Sequence, residues 1–258
     1  IINIFIITKM SYNKLSYSYV DKSIQNFLLI NDLKYSNTQG EIGIEFIDHV
    51  KEQYSMMDKS VIEKIEKLLP PPRKNNDKVT QNELTELLNK QEKRTYQDYL
   101  NIYDEAYNFS ISRLFINYIK NNNINIDVDI NVLIKNLHDI DIYIYILKKY
   151  HDRVRPTILM RYMNNNNLRN DKLSPSINVP THPAYPSGHA TQCKFTAQYL
   201  SSIDPKNEKK YHELCEKIAS NRELAGLHYR SDTEAGYKLA NILFTAYKEN
   251  INTWDVKN

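Results

Sequence analysis

Residues 127–150 can be read in two ways, and the choice between them decides the fold class. "DIDIYIYIL", at 139–147, alternates apolar and polar like a half-buried strand. Over a longer window Ile130, Leu133, Ile134, Leu137, Ile140, Ile144 and Leu147 form a stripe at helical spacing. A strand seldom runs beyond about 8 residues, so length arbitrates for a helix. Most of the remaining chain agrees. "SVIEKIEKLL" (60–69) is periodic and stops at Pro70, Pro71 and Pro72, which cannot continue a helix. "TQNE" (80–83) and "SDTE" (231–234) read as capping boxes that open helices. "YQDYLNIYDEAYNFSISRLFINYIK" (96–120) places Tyr103, Tyr107, Ile111, Leu114 and Tyr118 at helical spacing. Asp204 and Pro205 stand as N-cap and first helical residue of a segment running to Leu224. No hairpin signal interrupts this series, and the expected fold is an all-α helical bundle.

At 258 residues the chain can bury a large core, and a single domain over 10–258 is expected. "IINIFII" at 1–7 precedes Met10, so residues 1–9 are read as upstream sequence and left out of the fold. That run is too short to span a bilayer and lacks the basic start of a signal peptide. No membrane span is expected, and a soluble, cytoplasmic protein is. A net charge of +3, with Lys and Arg mixed among Asp and Glu, argues against a nucleic-acid partner. Cys193 and Cys215 make no disulfide framework and read as half-buried helical thiols. "NNNINI" (121–126) and "MNNNNLRN" (163–170) read as loops, while "PPPRKNND" (70–77) is too short to mark a domain boundary.

Three stretches carry chemistry. "HPAYPSGHATQ" (182–192) spends one of only 5 glycines between a serine and a histidine at a helix start. Unpaired N–H groups and the positive dipole end bind anions there, and Gly188 would let an oxyanion approach the backbone. A bland alternative has Ser187 as a helix cap and His189 at the surface. "KKYHDRVRP" (148–156) holds Lys148 and Arg155 seven apart, which alone reads as a solvated helix end. "SNRELAGLHYRSDTEAG" (220–236) holds Arg222, His228 and Asp232. An inward carboxylate four residues after a histidine can accept the Nδ1 proton and leave Nε2 free as a nucleophile. The same pair could merely tie two helices together.

In order, K-x6-RP, PSGH and R-x5-H-x3-D resemble the three-part signature of the type 2 phosphatidic acid phosphatase superfamily. That superfamily includes class A acid phosphatases, membrane lipid phosphatases, glucose-6-phosphatase and the vanadium haloperoxidases. The resemblance rests on Lys148, Arg155, Pro156, Pro186, Ser187, Gly188, His189, Arg222, His228 and Asp232. It spans roughly residues 100–250 and leaves 10–99 as accessory helices. Many members have Ser before the third-motif arginine, where this chain has Asn221, which can still hydrogen-bond.

The resemblance implies the acid phosphatase and haloperoxidase type of bundle and a metal-independent phosphatase for a small phosphorylated substrate. Lys148, Arg155, Ser187, Gly188 and Arg222 would then bind phosphate. His228 would be the nucleophile, oriented by Asp232, and His189 the general acid and base. No cofactor and no metal are implied for a phosphatase. The alternative is a vanadium-dependent haloperoxidase that keeps vanadate in the same pocket; members of that branch are typically much longer. A lipid-phosphate phosphatase is a third reading, and a non-catalytic phosphate-binding helical protein a fourth.

Overall fold

The computed structural model describes residues 30–38, 63, 65, 67–108, 110–164 and 176–248. Residues 1–9 and half of the predicted 60–69 helix lie outside them. Eight α-helices occupy the described chain: α1 (Lys78–Glu92), α2 (Tyr96–Tyr103), α3 (Ile111–Asn121), α4 (Ile130–His151), α5 (Pro156–Asn164), α6 (Gly188–Ile203), α7 (Glu208–Leu224) and α8 (Arg230–Lys248). No strand occurs among the described residues. The ambiguous 127–150 segment is helix α4, opened by the Asp129 side chain, which accepts from the Asn131 N–H. Its buried face is wider than the predicted stripe. Ile142, Tyr143 and Ile146 join Leu133, Leu137, Ile140, Ile144 and Leu147, while Ile134 is exposed.

Helix α6 is the hub of the bundle and packs against α3, α4, α7 and α8. Its Phe195, Ala197 and Leu200 share one core with Ile140 and Leu147 of α4, Ile218 of α7 and Leu239 of α8. Cys193 and Cys215, from α6 and α7, are fully buried rather than half-buried; both are free, with Sγ atoms 2.8 Å apart. Helices α6 and α8 approach closely at Gly236, where a Cβ would stand 2.7 Å from the Ser187 carbonyl oxygen.

Several predicted boundaries shift, each for a local reason. The 96–120 segment is not one helix. A π-helical turn (Asp104–Asn108) follows α2, and Ser110 caps α3 by accepting from the Arg113 N–H. Serine favours the cap because its hydroxyl competes with the backbone of a helix interior. Thr80 and Glu83 lie inside α1, which Asp77 caps instead. In the first turn of α8 the Asp232 carboxylate, and not Ser231, receives the Tyr229 N–H. Asp204 does not cap α7; a short 3-10 turn (Pro205–Asn207) intervenes, and the carboxylate accepts from Asn207 and Tyr211 side chains.

Candidate active site

The C-terminal end of α4, the N-terminus of α6 and the turn between α7 and α8 meet around a cavity of about 310 Å³. Lys148, Arg155, Gly188, His189, Arg222 and His228 line it. Ser187 and Asp232 do not; both are buried beside it.

Local folding explains each placement. Helix α4 ends because Asp152 takes the left-handed conformation (φ 48°) and its N–H closes on the Lys148 carbonyl. Lys148, in the last turn, is fully buried and not part of a solvated face. Its Nζ donates to the carbonyls of Pro183 and Ala184, at 2.8 and 3.0 Å. Arg155 follows just before α5 and is also fully buried. It donates to the carbonyls of His182, Pro183 and Leu227. Ser187 caps α6, accepting from the Ala190 N–H, so its side chain satisfies the helix start. At Gly188 a Cβ would meet only Ile144, at 3.5 Å. Protein packing therefore does not demand a glycine at that position, and the space it leaves belongs to the cavity.

Three cationic side chains face the cavity with few compensating charges. Arg222 pairs with Glu105 of the π-helical turn at 3.3 Å, and its Nε is buried with no protein partner. Lys148 and Arg155 donate to carbonyls and meet histidines, and the carboxylate that acts on both, Asp232, is paired directly with Arg153. Burial pushes Lys148 well down and Arg155 to about 10, and each cation lowers the other or its neighbours. An excess of buried positive over negative groups, with an unsatisfied donor, creates a demand for a counter-ion. A tetrahedral oxyanion would meet it through guanidinium, ammonium and α6 N–H donors.

The two histidines are held differently. His228 Nδ1 lies 3.2 Å from the Asp232 carboxylate, while Nε2 faces Arg155 at 3.5 Å. Burial, with Arg155 and Lys148 nearby, lowers His228 to about 3 despite Asp232. The ring is therefore neutral, and a neutral ring donating from Nδ1 carries its lone pair on Nε2. His189 hydrogen-bonds the Glu105 backbone; burial, then Arg222 and His228, holds it well below the ordinary histidine range.

Residues outside the three motifs complete the arrangement. Arg153 donates to Asp232 at 2.5 Å, pairs with Glu83 of α1 at 3.5 Å, and stacks 3.9 Å over the Tyr229 ring. Burial alone would raise Asp232, but Arg153 and His228 bring it to about 2. Asp232 is thus a fixed carboxylate clamped between Arg153 and His228. Glu105 receives Asn221 at 2.7 Å as well as Arg222, and burial pushes it up to about 7. Arg153 lies within the 148–156 stretch, between Lys148 and Arg155, where local sequence assigns it no partner. Glu83 and Glu105 act across long sequence separations and carry no local signal. Among the described residues, no group of three or more His, Cys, Asp or Glu is placed to hold a metal ion, and no helix is long and apolar enough to cross a membrane.

The described bundle has the all-α fold of the acid phosphatase and vanadium haloperoxidase type. In particular, the chain is similar to a bacterial vanadium-dependent iodoperoxidase, with a TM-score of 0.54 and 16% sequence identity. The match covers 71% of this chain and 52% of the iodoperoxidase, so the likeness spans about half of that protein. A transmembrane PAP2-type phosphatidylglycerolphosphate phosphatase from Bacillus subtilis matches at a TM-score of 0.35 and 14% identity, over 93% of this chain and 100% of that one. No protein-family model matches the sequence, and no curated protein does.

Proposed function

We propose that the protein is a metal-independent phosphatase that hydrolyses phosphate monoesters through a phosphohistidine. The observation that carries this reading is His228, tied by Nδ1 to a clamped carboxylate and turned by Nε2 toward a cavity ringed with buried cations. His228 Nε2 attacks phosphorus, forming a P–N bond as the ester P–O bond breaks. His189 gives its proton to the leaving oxygen. Water then yields a proton to His189 and attacks phosphorus, breaking the P–N bond and releasing phosphate. Lys148, Arg155, Arg222 and the Gly188 N–H stabilise charge on the equatorial oxygens. Burial, Arg222 and His228 disfavour protonated His189, and a bound phosphate dianion raises its proton affinity, so substrate itself recruits the general acid.

A second reading draws on the iodoperoxidase likeness. The same donors, with the unpartnered Arg222 Nε, fit vanadate as well as phosphate. Lys148, Arg155, Gly188, His189, Arg222 and His228 would hold it, and vanadate would supply peroxide activation for halide oxidation. Parallel assays decide between the two. We expect para-nitrophenyl phosphate turnover that EDTA leaves unchanged and vanadate inhibits competitively. Halide oxidation by peroxide after vanadate loading, without phosphatase activity, would select the second reading. Activity lost to EDTA and restored by a divalent ion would exclude the proposed mechanism.

A further inference from the structure

A second cavity, of about 430 Å³, adjoins the first and shares Tyr107, Ile177 and Asn178 with it. Its wall is unusual for a solvent-facing helix. Tyr96, Tyr99, Tyr103 and Tyr107 follow one another along one face of α2 and the π-helical turn. They are 76, 40, 43 and 51% exposed, although Tyr103 and Tyr107 share their helical spacing with Ile111, which is buried. Their rings form a row: 6.5 Å between Tyr96 and Tyr99, 6.5 Å between Tyr99 and Tyr103, and 4.8 Å between Tyr103 and Tyr107. The Tyr107 hydroxyl accepts the Asn178 N–H at 3.2 Å, which fixes that ring as the partition between the two cavities. Arg161 of α5 lines the outer cavity from another element. Tyrosine offers a flat face at little entropic cost, and a guanidinium stacks on aromatic rings.

We infer that the outer cavity is a subsite for a planar aromatic portion of the substrate's leaving group, bound against Tyr99, Tyr103 and Tyr107 with Arg161 beside it. This rests on the inner cavity being the phosphate site. Continuity through Tyr107 lets a single phosphate ester place its phosphoryl group among the cations and its ring on the tyrosines. An aryl group and a nucleobase share this chemistry.

Phosphonates test the subsite without turnover, because their P–C bond is not hydrolysed. Equilibrium binding of methylphosphonate, cyclohexylmethylphosphonate and naphthylmethylphosphonate is measured by calorimetry on the full chain. We expect naphthylmethylphosphonate to bind about tenfold tighter than either other ligand, the scale of a well-placed aromatic contact. In Tyr99→Ala/Tyr103→Ala the advantage should fall to within about twofold, with methylphosphonate affinity unchanged. Both side chains are exposed, and an unchanged Tm confirms that the variant folds. Tyr99→Phe/Tyr103→Phe should restore the preference. Equal affinity for the naphthyl and cyclohexyl ligands would overturn the aromatic subsite while leaving the phosphate site standing. Failure of all three to bind would overturn the phosphate reading and the subsite with it.

Discussion

His228, Asp232 and Arg153 form a chain in which each group sets the state of the next. Arg153 keeps Asp232 ionised, and Asp232 fixes the His228 Nδ1 proton. His228→Ala should cost several orders of magnitude in kcat while phosphate still binds the remaining donors; single-turnover assays and calorimetry separate the two effects. Asp232→Asn should also be severe in rate, since an amide favours the wrong tautomer. The pH profile follows from the same groups. His228 is active when neutral, so activity is lost as pH falls through its lowered value of about 3, not through the ordinary 6.5. We expect kcat/KM for the free enzyme to show no acid limb from this group between pH 5 and 7. An acid limb near 6.5 that vanishes in Asp232→Asn would contradict that assignment. The motif residues were legible because chemistry repeats at fixed local spacing: His228 and Asp232 are one helical turn apart. Arg153's role was not, because its partners Glu83 and Asp232 lie on α1 and α8.

At the scale of elements, α6 and α8 explain why two glycines serve different ends. Gly236 permits the helices to touch: an added Cβ would meet the Ser187 carbonyl at 2.7 Å and the Ala190 Cβ at 2.9 Å. Alanine normally stabilises a helix relative to glycine by about 0.5–1 kcal/mol. Here Gly236→Ala should instead destabilise by roughly 1–3 kcal/mol, because backbone must move. Gly188→Ala has only an ordinary contact with Ile144 ahead of it, so stability should hold while phosphate affinity falls. Thermal unfolding with and without phosphate distinguishes the pair; equal losses of stability would mean that Gly188 is a packing glycine too. Helix existence was readable from periodicity, as in α4, because an apolar face must recur every turn to be buried. Helix ends were less so. The 96–120 segment keeps its period through the π-helical turn, and only the Ser110 cap marks the restart. The spacing that Tyr103 and Tyr107 share with Ile111 shows the same limit: both tyrosines are exposed and Ile111 is buried, so periodicity finds a face, but tertiary packing decides whether that face is inside.

Taken as a whole, the bundle stores positive charge at the meeting point of α4, α6, α7 and α8, and this links anion binding to protonation. Burial lowers Lys148, Arg155, Arg222, His182, His189 and His228, so each holds its proton less tightly than in water. The nearby carboxyls move the other way: burial raises Glu105 to about 7 and Asp141, beside Gln192, to about 6. A bound dianion favours the protonated form of every one of these groups, because it stabilises added positive charge and repels negative charge. The sign is therefore common to all: the complex holds more protons than the free protein, and affinity rises as pH falls. Sulfate isolates the effect, since it stays a tetrahedral dianion over the whole range. We expect sulfate affinity to increase steadily from pH 8 to pH 5, with proton uptake seen as a buffer-dependent heat in calorimetry. Glu105→Gln removes a group that titrates at about 7 in the free protein and higher in the complex, so it should flatten the slope above pH 7, and His189→Gln should flatten it at lower pH. The same ligand should raise Tm, by the equivalent of about 2.7 kcal/mol at a hundredfold excess over Kd. Sulfate binding that is independent of pH, or that releases protons, would show that the cations do not share one anion and that the cavity is not the charge sink the fold suggests.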